Sequence, residues 1–312
     1  MSVLMLETLD QSAMDKLNHL HDLVMSPDPN ARSHDLPFNG VEAIITRGLG
    51  RIDAQLMAAC PKLKVIARAG AGLNNLDLDA AKATGIKVVF APGLNAAAVA
   101  EHTLMLMLNC LRRGPRASRE VKSGNWDYRE TYEGDDLRGK SVGIIGSGSI
   151  GRRVADLCRA FSMDVFMISR DGEGHDHLIK QLGSVASSLD LISLHLPLND
   201  ETEGMINGDI IRLCKSGVVL INTSRGGLID ENDICDGLNN GAIGFYAADV
   251  MAVQPPQKNN SLIAHENCAV TPHMASLTKQ TWAETSNFIA DNVSAILQNK
   301  QPAPLSIYAG TA

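Results

Sequence analysis

Positive charge is in deficit. The 312 residues carry 28 Lys and Arg against 35 Asp and Glu, a formal net charge of -7 at pH 7, with a sequence pI near 5.7. Proteins that live on nucleic-acid phosphates or anionic membrane surfaces carry the opposite excess, so neither partner is expected. A small anionic ligand needs only a local cation. Paired cysteines are also missing: none of Cys60, Cys110, Cys158, Cys214, Cys235 and Cys268 lies within twenty residues of another. That scatter offers no CxxC pair and no zinc spacing, so no metal is expected. It fits a reduced, cytoplasmic protein. No long apolar run occurs either. The most apolar stretch, residues 96–111, contains Glu101, His102 and Asn109 and is too short to span a bilayer. The opening MSVLMLETLD lacks the basic n-region of a signal peptide. No appended regulatory module is expected after Ala312. The 27 glycines and 12 prolines are ordinary usage, which excludes collagen-like and low-complexity classes.

What is present is an alternation of short β-type runs with helical patterns. Strands are expected over 3–6, 43–46, 64–69 and 87–91, with a helix over 78–84 closed by Gly85. A long helix over 96–111 is apolar nearly all round, which predicts burial inside the fold or against a second subunit. Gly114-Pro115 is expected to stop it, and a polar segment to about Lys140 follows, with Trp126 and Tyr128 as interface anchors. A second series then supplies six strand candidates, VGIIG, DVFMIS, LDLISLHLPL, GVVLINTS, AIGFYAADV and CAVTP, before one amphipathic helix over 278–299. Two βα series of unequal size predict an α/β protein with parallel sheets.

VGII followed by Gly146-Ser147-Gly148-Ser149-Ile150-Gly151 and a helical run is a G-x-G-x-x-G turn in the strand–turn–helix context its mechanism requires. Gly146 allows the tight turn, Gly148 lets backbone approach a pyrophosphate, and Gly151 lets helix pack on strand. Ser149 and Ile150 lie at the pyrophosphate turn, where the helix N-terminus supplies N–H donors. The next strand ends at Ser169, 23 residues after Gly146. A carboxylate is usual there for the adenosine ribose. Ser169-Arg170 offers instead a small hydroxyl and a cation for a 2′-phosphate, so NADP(H) is the preferred cofactor, with NAD(H) possible if Asp171 reaches the ribose.

Several further segments keep their order with this turn: Arg68-Ala-Gly-Ala-Gly-Leu-Asn-Asn-Leu-Asp77, Pro92-Gly-Leu-Asn95 with Val99-Ala-Glu-His102, Ile221-Asn-Thr-Ser-Arg-Gly-Gly227, Asp249, and Thr271-Pro-His273. Together they resemble the D-isomer-specific 2-hydroxyacid dehydrogenases, a family that includes glyoxylate/hydroxypyruvate reductases, phosphoglycerate dehydrogenases and, more distantly, formate dehydrogenases. The resemblance implies two Rossmann/flavodoxin-like parallel-sheet domains with an interdomain cleft. Residues 1–97 plus 278–312 would bind substrate, residues 98–277 would bind NAD(P), and the long helix would help form a homodimer. It also implies an NAD(P)H-dependent oxidoreductase that interconverts a small 2-oxoacid and its D-2-hydroxyacid.

The resemblance assigns roles residue by residue. Arg225, at the end of GVVLINTS, would bind the substrate carboxylate and carbonyl with its guanidinium fork. His273 would be the acid that protonates the carbonyl oxygen, or the base in reverse. Thr223, Ser224 and Asp249 would line the nicotinamide side. Leu196 and Pro197, closing the run LDLISLHLPL, and Thr202 just beyond are expected cofactor contacts. The loop Gly70-Ala71-Gly72 would meet a carboxylate with backbone N–H groups, and Arg47 would reach a distal anionic group or simply be solvated. His19 and His21 are expected to be solvated on different faces of one helix, His175 and His177 to face water, His102 to be structural, and His195 to border the nicotinamide or to pack.

One departure stands out. The family's glutamate nineteen residues before the histidine is here Gln254, followed by Pro255. Glutamine orients the imidazole by a hydrogen bond but brings no charge. Formate dehydrogenases resemble this Gln–Pro…Pro–His arrangement, so formate oxidation is an alternative. A catalytically silent, dinucleotide-sensing protein is another.

Overall fold

The computed structural model describes residues 1–31, 36–170 and 174–311. Asp171 lies outside the described residues, as does the side chain of His175. The chain divides into two compact units, Met1–Asn95 with Leu277–Ala312, and Ala96–Ser276.

The first unit holds strands β1 (Ser2–Met5), β2 (Asp22–Met25), β3 (Val41–Thr46), β4 (Val65–Arg68) and β5 (Lys87–Val89), all parallel, in the order β2-β1-β3-β4-β5. Parallel strands covered on both faces should be apolar at successive positions, and the inner strands β1, β3 and β4 are. Val3, Met5, Ala43, Ile45, Val65 and Ala67 point to one face, where they pack with Leu17 of α1 (Gln11–Leu20) and with Ile289, Val293 and Ile296 of the C-terminal helix Lys279–Leu297. Leu4, Ile44, Ile66 and Val88 point to the other, against Leu56 and Met57 of α2 (Ala54–Ala59) and Ala81 of α3 (Leu78–Ala83). The apolar stripe of the last helix is therefore what returns the chain end to this unit. Truncating Ile289 to alanine there would cost about 2–5 kcal/mol.

The second unit opens with α4 (Ala96–Arg112) and α5 (Gly114–Lys122). Strands β6 (Ser141–Ile145), β7 (Asp164–Ile168), β8 (Leu191–Leu194), β9 (Val218–Asn222), β10 (Ile243–Ala248) and β11 (Cys268–Val270) form a parallel sheet in the order β11-β10-β9-β8-β6-β7. Helices α6 (Ser149–Ala160), α7 (His175–Val185), α8 (Gly208–Leu213), α9 (Glu231–Asn240) and α10 (Ser261–Ala264) connect them, and the C-terminal helix becomes α11. One face packs on α4 and α6 through Leu106, Met107, Val154 and Cys158, the other on α7 to α10 through Leu182, Ile210, Ile234 and Leu262. The strand after β6 lies on one side of it and the strand after that on the other. This topological switch opens a crevice at the carboxyl ends of β6 and β8, where open α/β sheets bind ligands.

Several expectations change. β2 was not expected: its only partly buried residues are Leu23 and Val24, too few to read as a strand, yet it pairs in register with β1 at the sheet edge. The long helix ends at Arg112, just before Gly114-Pro115 as expected, but a second helix starts at once. Arg113, at φ 47, breaks the axis, and Pro115 sits in the first turn of α5, where its missing N–H costs nothing. Met105 of α4 is 39% exposed within this chain, so of the two placements expected for that helix the fold alone does not supply complete burial. His21 is not solvated: α1 stops at Leu20, and His21 turns inward so that Nε2 lies 3.1 Å from Ser294 Oγ. His177 is half-buried with Nε2 2.7 Å from Gln181 Nε2. Among the described residues no helix is long and apolar enough to cross a membrane.

Candidate active site

The glycine turn between β6 and α6 shows why each glycine is there. Gly146 has φ 112, and a Cβ on it would lie 2.3 Å from the His195 carbonyl oxygen. A Cβ on Gly151 would lie 2.0 Å from the Gly146 oxygen, so the first turn of α6 rests directly on the turn. A Cβ on Gly148 meets nothing within 4 Å. Gly148 is also the residue from which α6 starts. The open side of the turn thus faces away from protein, with the helix N-terminus behind it, and these residues fit a pyrophosphate.

At the end of β7, Ser169 is buried and its N–H donates to Gln181 Oε1 at 3.1 Å. Arg170 Nη1 lies 2.8 Å from Glu201 Oε2. Leu196 is half-buried and Pro197 exposed beyond β8. Thr202 corrects an expectation. It is fully buried, its hydroxyl donates to the Pro197 carbonyl at 2.7 Å and accepts from Asn199 N–H at 3.0 Å, and it therefore shapes this turn instead of touching a cofactor. His195 packs at the same strand end, Nε2 2.9 Å from Ser193 Oγ, and burial pushes its pKa down to about 3.

Arg225 follows β9 through a turn clamped by Asn222. Asn222 is fully buried; its Nδ2 donates to the Arg225 carbonyl at 2.9 Å and its Oδ1 accepts from Ser224 N–H at 3.1 Å. Ser224 Oγ donates to the Leu194 carbonyl at 2.7 Å, tying the ends of β9 and β8 together. Thr103 Oγ1 gives its proton to the Val99 carbonyl, so in its 2.9 Å contact with Thr223 Oγ1 it is Thr223 that donates. Burial lowers the pKa of the Arg225 guanidinium, whose Nη1 donates to the Ser224 carbonyl at 2.7 Å. A Cβ on Gly226 would lie 2.0 Å from the Met251 carbonyl carbon, which brings the segment after β10 against the Arg225 turn.

That segment carries Gln254, which meets His273 on the loop after β11. Gln254 Nε2 donates to the Met251 carbonyl at 3.0 Å, which orients the amide and makes Oε1 the atom facing His273 Nδ1 at 2.8 Å. An amide oxygen only accepts, so Nδ1 carries a proton and Nε2 is the nitrogen left to exchange one. His273 itself is held at φ 54, a left-handed conformation that costs a non-glycine residue about 1–2 kcal/mol. Buried Asp249 fixes that loop: Oδ1 accepts from Met274 N–H at 2.9 Å and from the Thr271 hydroxyl, and Oδ2 from Ala275 N–H at 2.8 Å. Thr271 Oγ1 spends its proton on Asp249, so His102 Nε2, 2.9 Å from that oxygen, is the donor. Asp249, expected to line the nicotinamide side, is instead 1% exposed with both carboxylate oxygens bonded to the histidine loop.

In the first unit, Ala71 and Gly72 follow β4, half-buried. A Cβ on Gly70 would lie 1.8 Å from Arg68 Nη1, so glycine there makes room for that guanidinium. Convergent backbone donors occur one strand away: Glu7 Oε2 accepts from the N–H groups of Arg47, Gly48 and Leu49 and from Thr46 Oγ1, at 2.8 to 3.1 Å. Arg47 is not simply solvated; its guanidinium stacks 4.2 Å above the Trp282 ring centroid.

A switch-point glycine turn beside an arginine and an oriented histidine defines a doubly wound protein of the dinucleotide-binding dehydrogenase class. Residues 104–275 match the family description "D-isomer specific 2-hydroxyacid dehydrogenase, NAD binding domain". The chain is 36% identical to a D-3-phosphoglycerate dehydrogenase of Archaeoglobus fulgidus over 81% of its own length and 49% of that protein's. It is 35% identical to a glyoxylate reductase of Aeropyrum pernix over 84% of its length and 81% of that protein's. An NADPH-dependent glyoxylate/hydroxypyruvate reductase of Sinorhizobium meliloti, solved with NADP and malonate, superposes with TM-score 0.86 at 26% identity, covering 99% of this chain and 97% of that one. The chain belongs to the D-isomer-specific 2-hydroxyacid dehydrogenase family. It spans about half the length of the phosphoglycerate dehydrogenases it matches, 49% of the Archaeoglobus protein.

Proposed function

We propose that the protein is an NAD(P)H-dependent oxidoreductase interconverting a small 2-oxoacid and its D-2-hydroxyacid, of the glyoxylate/hydroxypyruvate type. The observation that carries this reading is the Met251–Gln254–His273 arrangement, which leaves Nε2 as the proton-exchanging atom. A reduced nicotinamide, when bound, supplies the hydride for the carbonyl carbon. Arg225 grips the substrate carboxylate and carbonyl oxygen. His273 Nε2 gives its proton to that oxygen, so C=O becomes CH–OH, and Gln254 keeps Nδ1 protonated throughout. In the oxidative direction Nε2 takes the proton back. Backbone N–H groups of Ala71 and Gly72 meet the carboxylate, and Arg47 faces the distal end of the substrate.

In this reading residues 98–277 bind the dinucleotide and residues 1–97 plus 278–312 bind the substrate. Gly146, Gly148, Ser149, Ile150 and Gly151 hold the pyrophosphate. Leu196, Pro197, Thr223 and Ser224 border the cofactor, and Asp249 acts by fixing the His273 loop. Ser169 and Arg170 favour NADP(H), with NAD(H) accepted. The protein works in the cytoplasm as a homodimer.

A panel of 2-oxoacids assayed with NADPH and NADH, following loss of reduced-nicotinamide absorbance, tests the proposal. Turnover should fall by about two to four orders of magnitude in His273→Ala. Binding without turnover would instead leave a dinucleotide sensor. Activity confined to formate with the oxidised cofactor would favour hydride abstraction, which needs no proton transfer.

A further inference from the structure

Arg170 does not stand alone at the end of β7. Its Nη1 is engaged by Glu201 at 2.8 Å, while its Nη2 is buried with no hydrogen-bond partner among the described residues. Resting on the cofactor reading above, we propose that Glu201 is a specificity-determining residue for the dinucleotide: it occupies the guanidinium that would hold a 2′-phosphate and so restrains the preference for NADP(H).

Two features make Glu201 a built part of the site. Its backbone N–H donates to Asn199 Oδ1 at 3.2 Å, and its neighbour Thr202 is fully buried with its hydroxyl donating to the Pro197 carbonyl. The turn that carries the carboxylate is therefore fixed beyond the end of β8. A 2′-phosphate brings nearly two negative charges to a guanidinium that already holds one. It must displace the carboxylate or share the fork with it. The 2′-hydroxyl of NAD(H) carries no charge and meets no such repulsion. The side chains are 33% and 55% exposed, so the pair is weak enough to be displaced, and the outcome is tempered selectivity with both dinucleotides accepted.

The test is equilibrium titration of the full chain with NADPH and with NADH, read by nicotinamide fluorescence, for wild type, Glu201→Gln, Arg170→Ala and the double variant. The ratio Kd(NADH)/Kd(NADPH) should rise about three- to tenfold in Glu201→Gln. The same substitution should leave the ratio unmoved when Arg170 is already alanine. An unchanged or lower ratio in Glu201→Gln, or an equal rise without Arg170, overturns the proposal while the cofactor reading stands. A wild-type protein that binds neither dinucleotide overturns both.

Discussion

Gln254→Glu adds one charge at the atom that faces His273, and its consequence can be worked from the geometry. Gln254 Oε1 lies 2.8 Å from His273 Nδ1, so a carboxylate there would stand about 4–5 Å from the centre of an imidazolium. Both side chains are exposed, and at the high effective dielectric of such a site the attraction amounts to about 1–2 kcal/mol, equivalent to about one pH unit. In the proposed mechanism reduction needs the protonated imidazole, so its rate is lost as pH rises through that titration. The added carboxylate favours the protonated form, and the alkaline limb of the profile should move up by about one pH unit. A cost accompanies the gain: Gln254 Nε2 donates to the Met251 carbonyl at 3.0 Å, and a carboxylate has no proton to give. The maximal rate should therefore drop roughly three- to tenfold. Gln254→Leu separates the two effects; it should slow the enzyme by about tenfold without displacing the limb. Initial rates of 2-oxoacid reduction from about pH 5 to about pH 10 read both quantities. An active Gln254→Glu enzyme whose limb coincides with that of wild type would refute the charge argument.

Other consequences follow from the same geometry. Gly151→Ala puts a Cβ 2.0 Å from a carbonyl oxygen and should destabilise by about 2 kcal/mol or more in urea melts. Gly148→Ala meets no protein atom within 4 Å and should fold with stability within about 0.5 kcal/mol of wild type, yet bind dinucleotide at least about tenfold more weakly; normal affinity would remove the pyrophosphate from this turn. Burial pushes the Glu7 carboxyl upward, but hydrogen bonds from Gly48, Thr46, Arg47 and Leu49 outweigh it and hold the pKa below the ordinary 4.5. Its contribution is then present at neutral pH and lost as pH falls below that value. The stability gap between wild type and Glu7→Gln should accordingly close in acid, and a gap independent of pH would contradict the assignment. With its pKa pushed from 6.5 to about 3, His195 stays neutral in the fold while the unfolded chain takes up a proton below 6.5, so it erodes stability on acidification. Its imidazole NMR signals should not titrate between about pH 5 and about pH 8; a midpoint near the ordinary value for histidine would refute its burial.

The parts of the fold that the sequence reveals are those in which local pattern and final environment agree. β6, β8 and β9 are short apolar runs because they are covered on both faces, and the glycine turn is legible because its steric demands fall on consecutive residues. β2 escaped because an edge strand needs little burial, and α5 because an exposed helix has no apolar stripe to announce it. The link between α11 and the first sheet depends on which face Ile289 and Val293 cover, a fact about packing across nearly the whole chain. Within the candidate site, Arg225, Gln254 and His273 were named by resemblance, and the folded chain sets Gln254 against His273. Asn222, Glu201 and the hydrogen bonds from Asp249 to the His273 loop were not legible. They act through hydrogen bonds between segments distant in sequence, and only the folded chain shows which backbone atoms each side chain reaches. Thr202 was misread for the same reason: a hydroxyl beside a ligand-binding strand end looks available until its own turn claims it.

Reduction of a 2-oxoacid with reduced nicotinamide cofactor carrying deuterium at both C4 positions tests the central claim most directly. The account predicts a D-2-hydroxyacid with deuterium at C2 and a hydroxyl proton drawn from solvent through His273. Product that is the L-isomer, or that lacks the label at C2, would contradict it.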